Sequence, residues 1–420
     1  MMLNDSPGRE GPSGLLSHAI EKNGSGAGAH SSHSTIKGTT GMELSEKILI
    51  VLRLQLYTVY LLLQLFYQKL IQLFRTWKGT EEIPSGKVRV YSILWRYKVD
   101  PEEIPKRSDF ILAPGYVDEI DLLKSSHWII YTIEKDYVLF ALLPEPIYSY
   151  HISRYPFMYV PMFEKALAVA EVTHEEFLRF GQQLEEKPQP KTVLYTNTAR
   201  CGSTLFGRML NRPGISVCYG EPPSLTALSI ALGENLMNET KVGNLLHACI
   251  ICMRAHLPDG VLCVLKTQSF EARLVPLCKD ISNLKHIFMF RKKALFSVER
   301  ACRRTEFHSM LMLKLYYISP HLLHFIGALH AGEGRWLRTL QPQNIRELAA
   351  IVLASPMSYY EKNKDMYCHP IIWFHEVIND TENVLTSVFN KIDIPLSCVA
   401  EAAGCKNSDS QENSFLSQQN

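Results

Sequence analysis

Between Lys191 and Leu210 the chain reads KTVLYTNTARCGSTLFGRML. Val193, Leu194 and Tyr195 form a short apolar run with strand character, Asn197 to Gly202 is turn-like, and Ser203 to Leu210 opens a helix. A strand that passes through a Gly-containing loop into a helix N-terminus builds an anion site. Its unpaired backbone N–H groups point at the ligand, and the helix dipole adds partial positive charge. Arg200 adds a fixed cation with several donors. The loop is not a Walker A motif, because the first Gly is missing and Ser203 stands where that motif requires Lys. An ATPase or GTPase of that type is therefore not expected. Taken alone, the stretch is equally compatible with an ordinary strand–turn–helix connection.

The rest of the chain sorts around this stretch. With 420 residues and 46% hydrophobic content it can hold two domains with a sizeable core. Residues 1–42, rich in Ser, Gly and His, read as a disordered tail, and 403–420 as a second one. Residues 43–79 contain the apolar run ILIVLRLQLYTVYLLLQLFYQKLIQLF, Ile48 to Phe74. Arg53 and Lys69 leave about 15 uncharged residues between them, fewer than the roughly 20 of a spanning helix, although snorkelling cations could stretch the segment. Signal anchor, interfacial helix and helix packed on the protein all stay open, with membrane contact through residues 48–74 the expectation. The compartment is open too: membrane-associated, with the Golgi lumen one option, or cytoplasmic.

Residues 80–187 read as an accessory mixed α/β region. Val88 to Trp95, His127 to Ile133 and Tyr137 to Leu143 are β-rich, the last two suggesting a hairpin. Thr173 and Glu176 start a helix to about Leu184, and EEKPQPK then reads as a linker. From 190 to 402 strands alternate with helices, which predicts a parallel sheet. The 10 cysteines lack the spacing of a disulfide scaffold or zinc site, and Cys249 and Cys252 lie in what reads as a buried helix. No metal is expected, and the net charge of +2 gives no pointer to nucleic acid.

A second anion signal is KHIFMFRKKALFSVERACRR, Lys285 to Arg304. A buried strand ends at Arg291, and on the following helix Lys293, Ser297, Arg300 and Arg304 fall on one face. A strand-end Arg with a hydroxyl about two turns into the helix can grip a phosphate; the plain alternative is a solvated basic face. Two such cradles about 90 residues apart suit a ligand with two separated phosphates, bound beyond the carboxyl ends of parallel strands.

The segment from Lys191 to about Ala400 resembles the sulfotransferases that use 3′-phosphoadenosine 5′-phosphosulfate (PAPS). TARCGST is similar to their 5′-phosphosulfate loop, VLKTQSFEARLVPLCKDISNLKHIFMFR to the strand–helix–strand leading to their 3′-phosphate Arg, and WFHEVINDTENVLTSVFNKIDIP to their C-terminal stretch. The resemblance implies a three-layer, P-loop-like α/β core. By position, it implies that Arg200 and the backbone of Cys201, Gly202, Ser203 and Thr204, with the two hydroxyls, hold the 5′-phosphate. Arg291 and Ser297 take the 3′-phosphate. Glu221 stands where tyrosylprotein sulfotransferases carry a catalytic Glu, and Lys266 either assists the developing charge or simply pairs with a carboxylate. Glu221 as a mere helix cap near Pro223 is the plain alternative. The implied acceptor is a hydroxyl on a carbohydrate, protein or small molecule. Two features depart from the family: Gln268 follows Lys266 and Thr267 where cytosolic members place His, and the interval from Arg291 to Ser297 is two residues short. A catalytically inactive scaffold or binding module is the alternative these departures favour.

Overall fold

The computed structural model describes residues 44–79, 82–98, 103–304, 306–319 and 333–407. The first predicted tail and residues 408–420 of the second lie outside them, as does the Arg304 side chain. Residues 403–407, read as the start of the second tail, are instead helical, because Ala403 and Cys405 pack on the core of the parallel sheet.

Among the described residues, eleven strands form two sheets. β1 (Lys87–Arg96), β2 (Phe110–Leu112), β3 (Tyr116–Glu119), β4 (Trp128–Ile133), β5 (Tyr137–Leu142) and β6 (Ala168–Thr173) make an antiparallel sheet in the order β2-β1-β6-β5-β4, with β3 also on β1. The expected hairpin is the β4–β5 pair. The second sheet is wholly parallel: β7 (Thr192–Asn197), β8 (Ser216–Gly220), β9 (Leu262–Lys266), β10 (Leu284–Phe290) and β11 (Ile372–Trp373), in the order β11-β10-β7-β9-β8. Its strands are near-continuous apolar runs because both faces are covered. Val193 and Tyr195 point into one core and Leu194 into the other.

Helix α1 (Leu44–Lys78) lies along the edge strand β2. Tyr60 Oη donates to the Ser108 carbonyl (3.2 Å), Gln64 Nε2 to Phe110 (2.8 Å) and Tyr67 Oη to Leu112 (3.1 Å). These side chains satisfy carbonyls that an uncovered edge would offer to another strand. α2 (His174–Glu185) starts as predicted, with the Thr173 hydroxyl accepting from Glu176 N–H.

The linker 185–191 does not divide the packing. α3 (Ser203–Leu210) covers β8 and β9, α4 (Pro223–Gly233) packs on β4 of the antiparallel sheet, and α5 (Glu239–Ala255) packs on α2. One apolar core therefore runs from Val88 to Ile281 across both sheets. Cys249 and Cys252 are buried free thiols within it. Beyond β10 come α6 (Ala294–Arg304), α7 (Ile345–Lys362) and α8 (Thr381–Ile392). α8 buries Leu385, Val388, Phe389 and Ile392 at helical spacing.

Candidate functional site

The strand order fixes where a site can be. From the central strand β7 the chain goes out to β8, returns to β9 beside β7, then crosses to β10 on the other flank. Loops at the carboxyl end of β7 consequently diverge and leave a crevice, the usual ligand position in open parallel sheets. Every predicted site residue except Ser297 and the helix-start hydroxyls sits in a loop or at a strand end on this side.

The β7–α3 loop is held from both flanks. Asn197 Nδ2 donates to the Thr267 carbonyl (2.7 Å), and Thr198 N–H donates to Met289 (3.2 Å). Arg200 is exposed with φ +58°, and Gly202 precedes the helix with φ +87°. A Cβ on Gly202 would meet the Phe374 ring at 2.4 Å, so this position excludes any side chain on both counts. Ser203 and Thr204 are buried at the helix start, and the first-turn amides of α3 have no intrahelical acceptor. The Cys201 thiol turns into the core, where burial pushes its pKa up against the opposing charge of Lys266. Only the backbone of Cys201 can serve a ligand.

Glu221 and Lys266 come together from the ends of β8 and β9. Glu221 N–H donates to the Lys266 carbonyl (2.7 Å), and the Lys266 ammonium pairs with the Glu221 carboxylate. Glu221 does not cap the following helix, whose N-cap is Pro222; the carboxylate is engaged by Lys266 instead. Behind the pair, Glu271 is fully buried and accepts from the Thr226 hydroxyl (2.6 Å) and from Gln268 N–H (3.1 Å). Burial, and then the nearby Glu221 charge, push its pKa up to about 8, against its hydrogen bonds and the Lys266 charge. Gln268 thus contributes its backbone to this network, and its side chain is half-buried.

The second cradle is tighter than expected. Only Arg291, Lys292 and Lys293 separate β10 from α6, and Lys293 makes the turn in the left-handed region at φ +61°. Ser297 is the fourth helical residue, half-buried at the end of the first turn rather than about two turns in. Arg291 is half-buried, its guanidinium over the Phe374 ring at 4.6 Å. Phe374 therefore touches both the Gly202 loop and Arg291, bridging the two predicted cradles.

Three contributors were not singled out from the sequence. Phe374 is one; it lies inside WFHEV, a stretch read only as a segment. Phe157 is another: its ring lies 5.9 Å from Lys266 Nζ. The segment carrying it runs along the free edge of β8, with Ile152 N–H donating to Cys218 (2.7 Å) and Met158 N–H to Gly220 (2.8 Å). The third is a pair of buried hydroxyls. Thr198 and Thr267, just past β7 and β9, have no hydrogen-bond partner for Oγ1 among the described residues. A cavity of about 410 Å³ lies elsewhere, between α1 and the antiparallel sheet. Its Arg107 and Glu171 pair with each other, and it holds none of the predicted site residues. Neither models of known protein families nor curated protein sequences yield a match to this chain.

Proposed function

We propose that residues 190–402 form a three-layer, P-loop-like sulfotransferase core that moves a sulfuryl group from PAPS to an acceptor hydroxyl. The observation that carries this reading is Phe374, in contact with both the Gly202 loop and Arg291. It ties an amide-lined helix start to a strand-end guanidinium, which suits a ligand with two separated phosphates. The orphan hydroxyls of Thr198 and Thr267 suit the same polar occupant.

In this reading Arg200 and the amides of residues 201–204 hold the 5′-phosphate and stabilise the charge that grows on it. Arg291 and Ser297 hold the 3′-phosphate. PAPS, when bound, supplies the activated sulfuryl group. Glu221 takes the acceptor proton, and for that its carboxylate must loosen from Lys266; the ammonium is then free to turn toward charge developing on the leaving oxygen. An acceptor hydroxyl of a carbohydrate, protein or small molecule completes the reaction.

The Lys266–Glu221 pair also favours a second reading, a nucleotide-fold module without turnover, since an engaged carboxylate is a poor base. Thermal stabilisation separates the possibilities. Adenosine 3′,5′-bisphosphate at 100 times its dissociation constant should add about 2.7 kcal/mol, ATP less, and Arg200→Ala should reduce the gain. A gain without turnover on any acceptor class selects the inactive module. A shift with ATP alone, or with neither nucleotide, rejects the PAPS site.

A further inference from the structure

Helix α1 has two faces of opposite fate: among the described residues one packs on the folded body and the other is exposed. Leu54, Tyr57, Leu61, Gln64, Ile71 and Arg75 are buried or half-buried against the folded body. On the opposite side Leu49, Leu56, Leu63, Leu70 and Trp77 recur at every seventh residue, interleaved by a second exposed series that includes Phe66. Exposure reaches 65% at Leu63 and Phe66 and 80% at Trp77. By length and composition the helix could cross a membrane, but its attachment forbids that. The hydrogen bonds of Tyr60, Gln64 and Tyr67 to residues 108–112 would draw strand β2 into hydrocarbon, where an edge strand cannot satisfy its backbone.

A seven-residue repeat also fits a coiled coil with a second copy of this chain. Charge decides against it. Lys47, Arg53, Lys69, Arg75 and Lys78 face a single acid, Glu46, at the N-terminal end. The exposed cations Arg53 and Lys69 would find no carboxylate on a second α1 beside the middle of the helix. The apolar face is also too broad for a narrow seam, because Val51, Leu62, Leu65 and Phe74 are exposed on its flanks. A broad apolar face flanked by cations is what an anionic lipid surface takes.

We infer that α1 is an in-plane membrane helix that seats one face on strand β2 and buries the other among the lipids of an anionic bilayer. At 35 residues it is about 52 Å long, and Phe66 and Trp77 add aromatic rings to the exposed apolar face. The inference rests on α1 and its contacts alone and does not depend on the sulfotransferase reading.

The test is flotation of the full chain, synthesised cell-free in the presence of sealed vesicles. These are made of neutral phosphatidylcholine, or contain about 30% phosphatidylserine. The chain is expected to float with the anionic vesicles at least about fivefold more than with neutral ones. Epitope tags at its two ends should both be open to external protease. Leu63→Glu with Phe66→Glu should lower flotation by more than about tenfold. Arg53→Gln with Lys69→Gln, which leaves the apolar face intact, should erase the preference for anionic vesicles while neutral binding persists. Circular dichroism of each variant checks the fold. The inference is overturned by three outcomes: no flotation on either vesicle, protection of one tag only, or a lipid-free dimer that the Leu63/Phe66 variant disperses.

Discussion

Each of the two sheets carries a lysine–carboxylate pair out of bulk water, and the two pairs are built differently. In the antiparallel sheet Lys98 Nζ lies 3.2 Å from Asp109 Oδ2, and both side chains are 0% exposed. Tyr131 Oη (2.6 Å) and Lys106 N–H (2.8 Å) donate to the same carboxylate, and Lys98 also donates to the Glu103 carbonyl (2.7 Å). Burial pulls the Lys98 ammonium down and Asp109 pulls it back up. In the parallel sheet Lys266 is buried, but the Glu221 carboxylate keeps 13% exposure at the strand ends. Glu221 itself holds a left-handed backbone at φ +56°, as Arg200 and Lys293 do after β7 and β10. The first pair is locked by neighbours that are structural parts; the second is left open on the side a substrate would approach.

The contrast breaks most visibly by mutation. Asp109→Asn leaves Lys98 charged and enclosed, and should cost about 3–5 kcal/mol of unfolding free energy with nucleotide stabilisation unchanged in the surviving folded fraction. Glu221→Gln should cost clearly less in urea titrations, because water can reach the Lys266 pair. It should lower turnover about 10²- to 10⁴-fold. Equal stability losses, with turnover unaffected by Glu221→Gln, would show both pairs to be structural.

A more gradual effect, spread over several pH units, concerns Glu271 behind the open pair. Native Glu271 keeps its proton up to about 8, whereas its ordinary value is 4.5. Between these values the native state holds a proton that the unfolded chain has released. This contribution to stability is therefore full below about 4.5 and is lost as pH rises through about 8. Denaturation across that window should show a decline of up to about 1.4 kcal/mol per pH unit. Glu271→Gln should flatten it, and an unaltered slope in the variant would assign the decline to other groups.

How much of this was legible beforehand follows the range of each contact. The strand, loop and helix from Lys191 to Leu210 could be read because propensity and capping act within a few residues. The placement of Arg200 beyond the central strand followed from the same pattern. The engagement of Glu221 by Lys266 could not, because it needs β8 and β9 to be neighbours, and adjacency is set by sheet order rather than by local sequence. Ser297 was placed a turn too deep because nothing in the letters KK shows that Lys293 adopts a left-handed backbone and closes the turn in three residues. For α1, hydropathy reported apolar residues on both sides. Only the positions of Tyr60, Gln64 and Tyr67, polar atoms matched to the carbonyls of β2, distinguish the docked face from the free one. The linker was a fair reading of Pro and Gln. Even so, the packing of α4 on β4 and of α5 on α2 joins what it was taken to separate.

The longest-range contact gives the smallest and most discriminating prediction. Phe374 stands more than 80 residues beyond Arg291 and 170 beyond the loop, yet its ring fills the space over Gly202 and carries the Arg291 guanidinium. An exposed to partly buried cation–π contact is worth about 0.5–1 kcal/mol. Phe374→Leu retains apolar bulk against Gly202 and removes the π face. Adenosine 3′,5′-bisphosphate should then bind about two- to fivefold more weakly while the melting temperature stays nearly constant, and Phe374→Tyr should restore the affinity. Calorimetric titration reads that difference directly. Full affinity in the Leu variant would mean that Arg291 needs no ring to hold it, and the two cradles would then be neighbours rather than a single site.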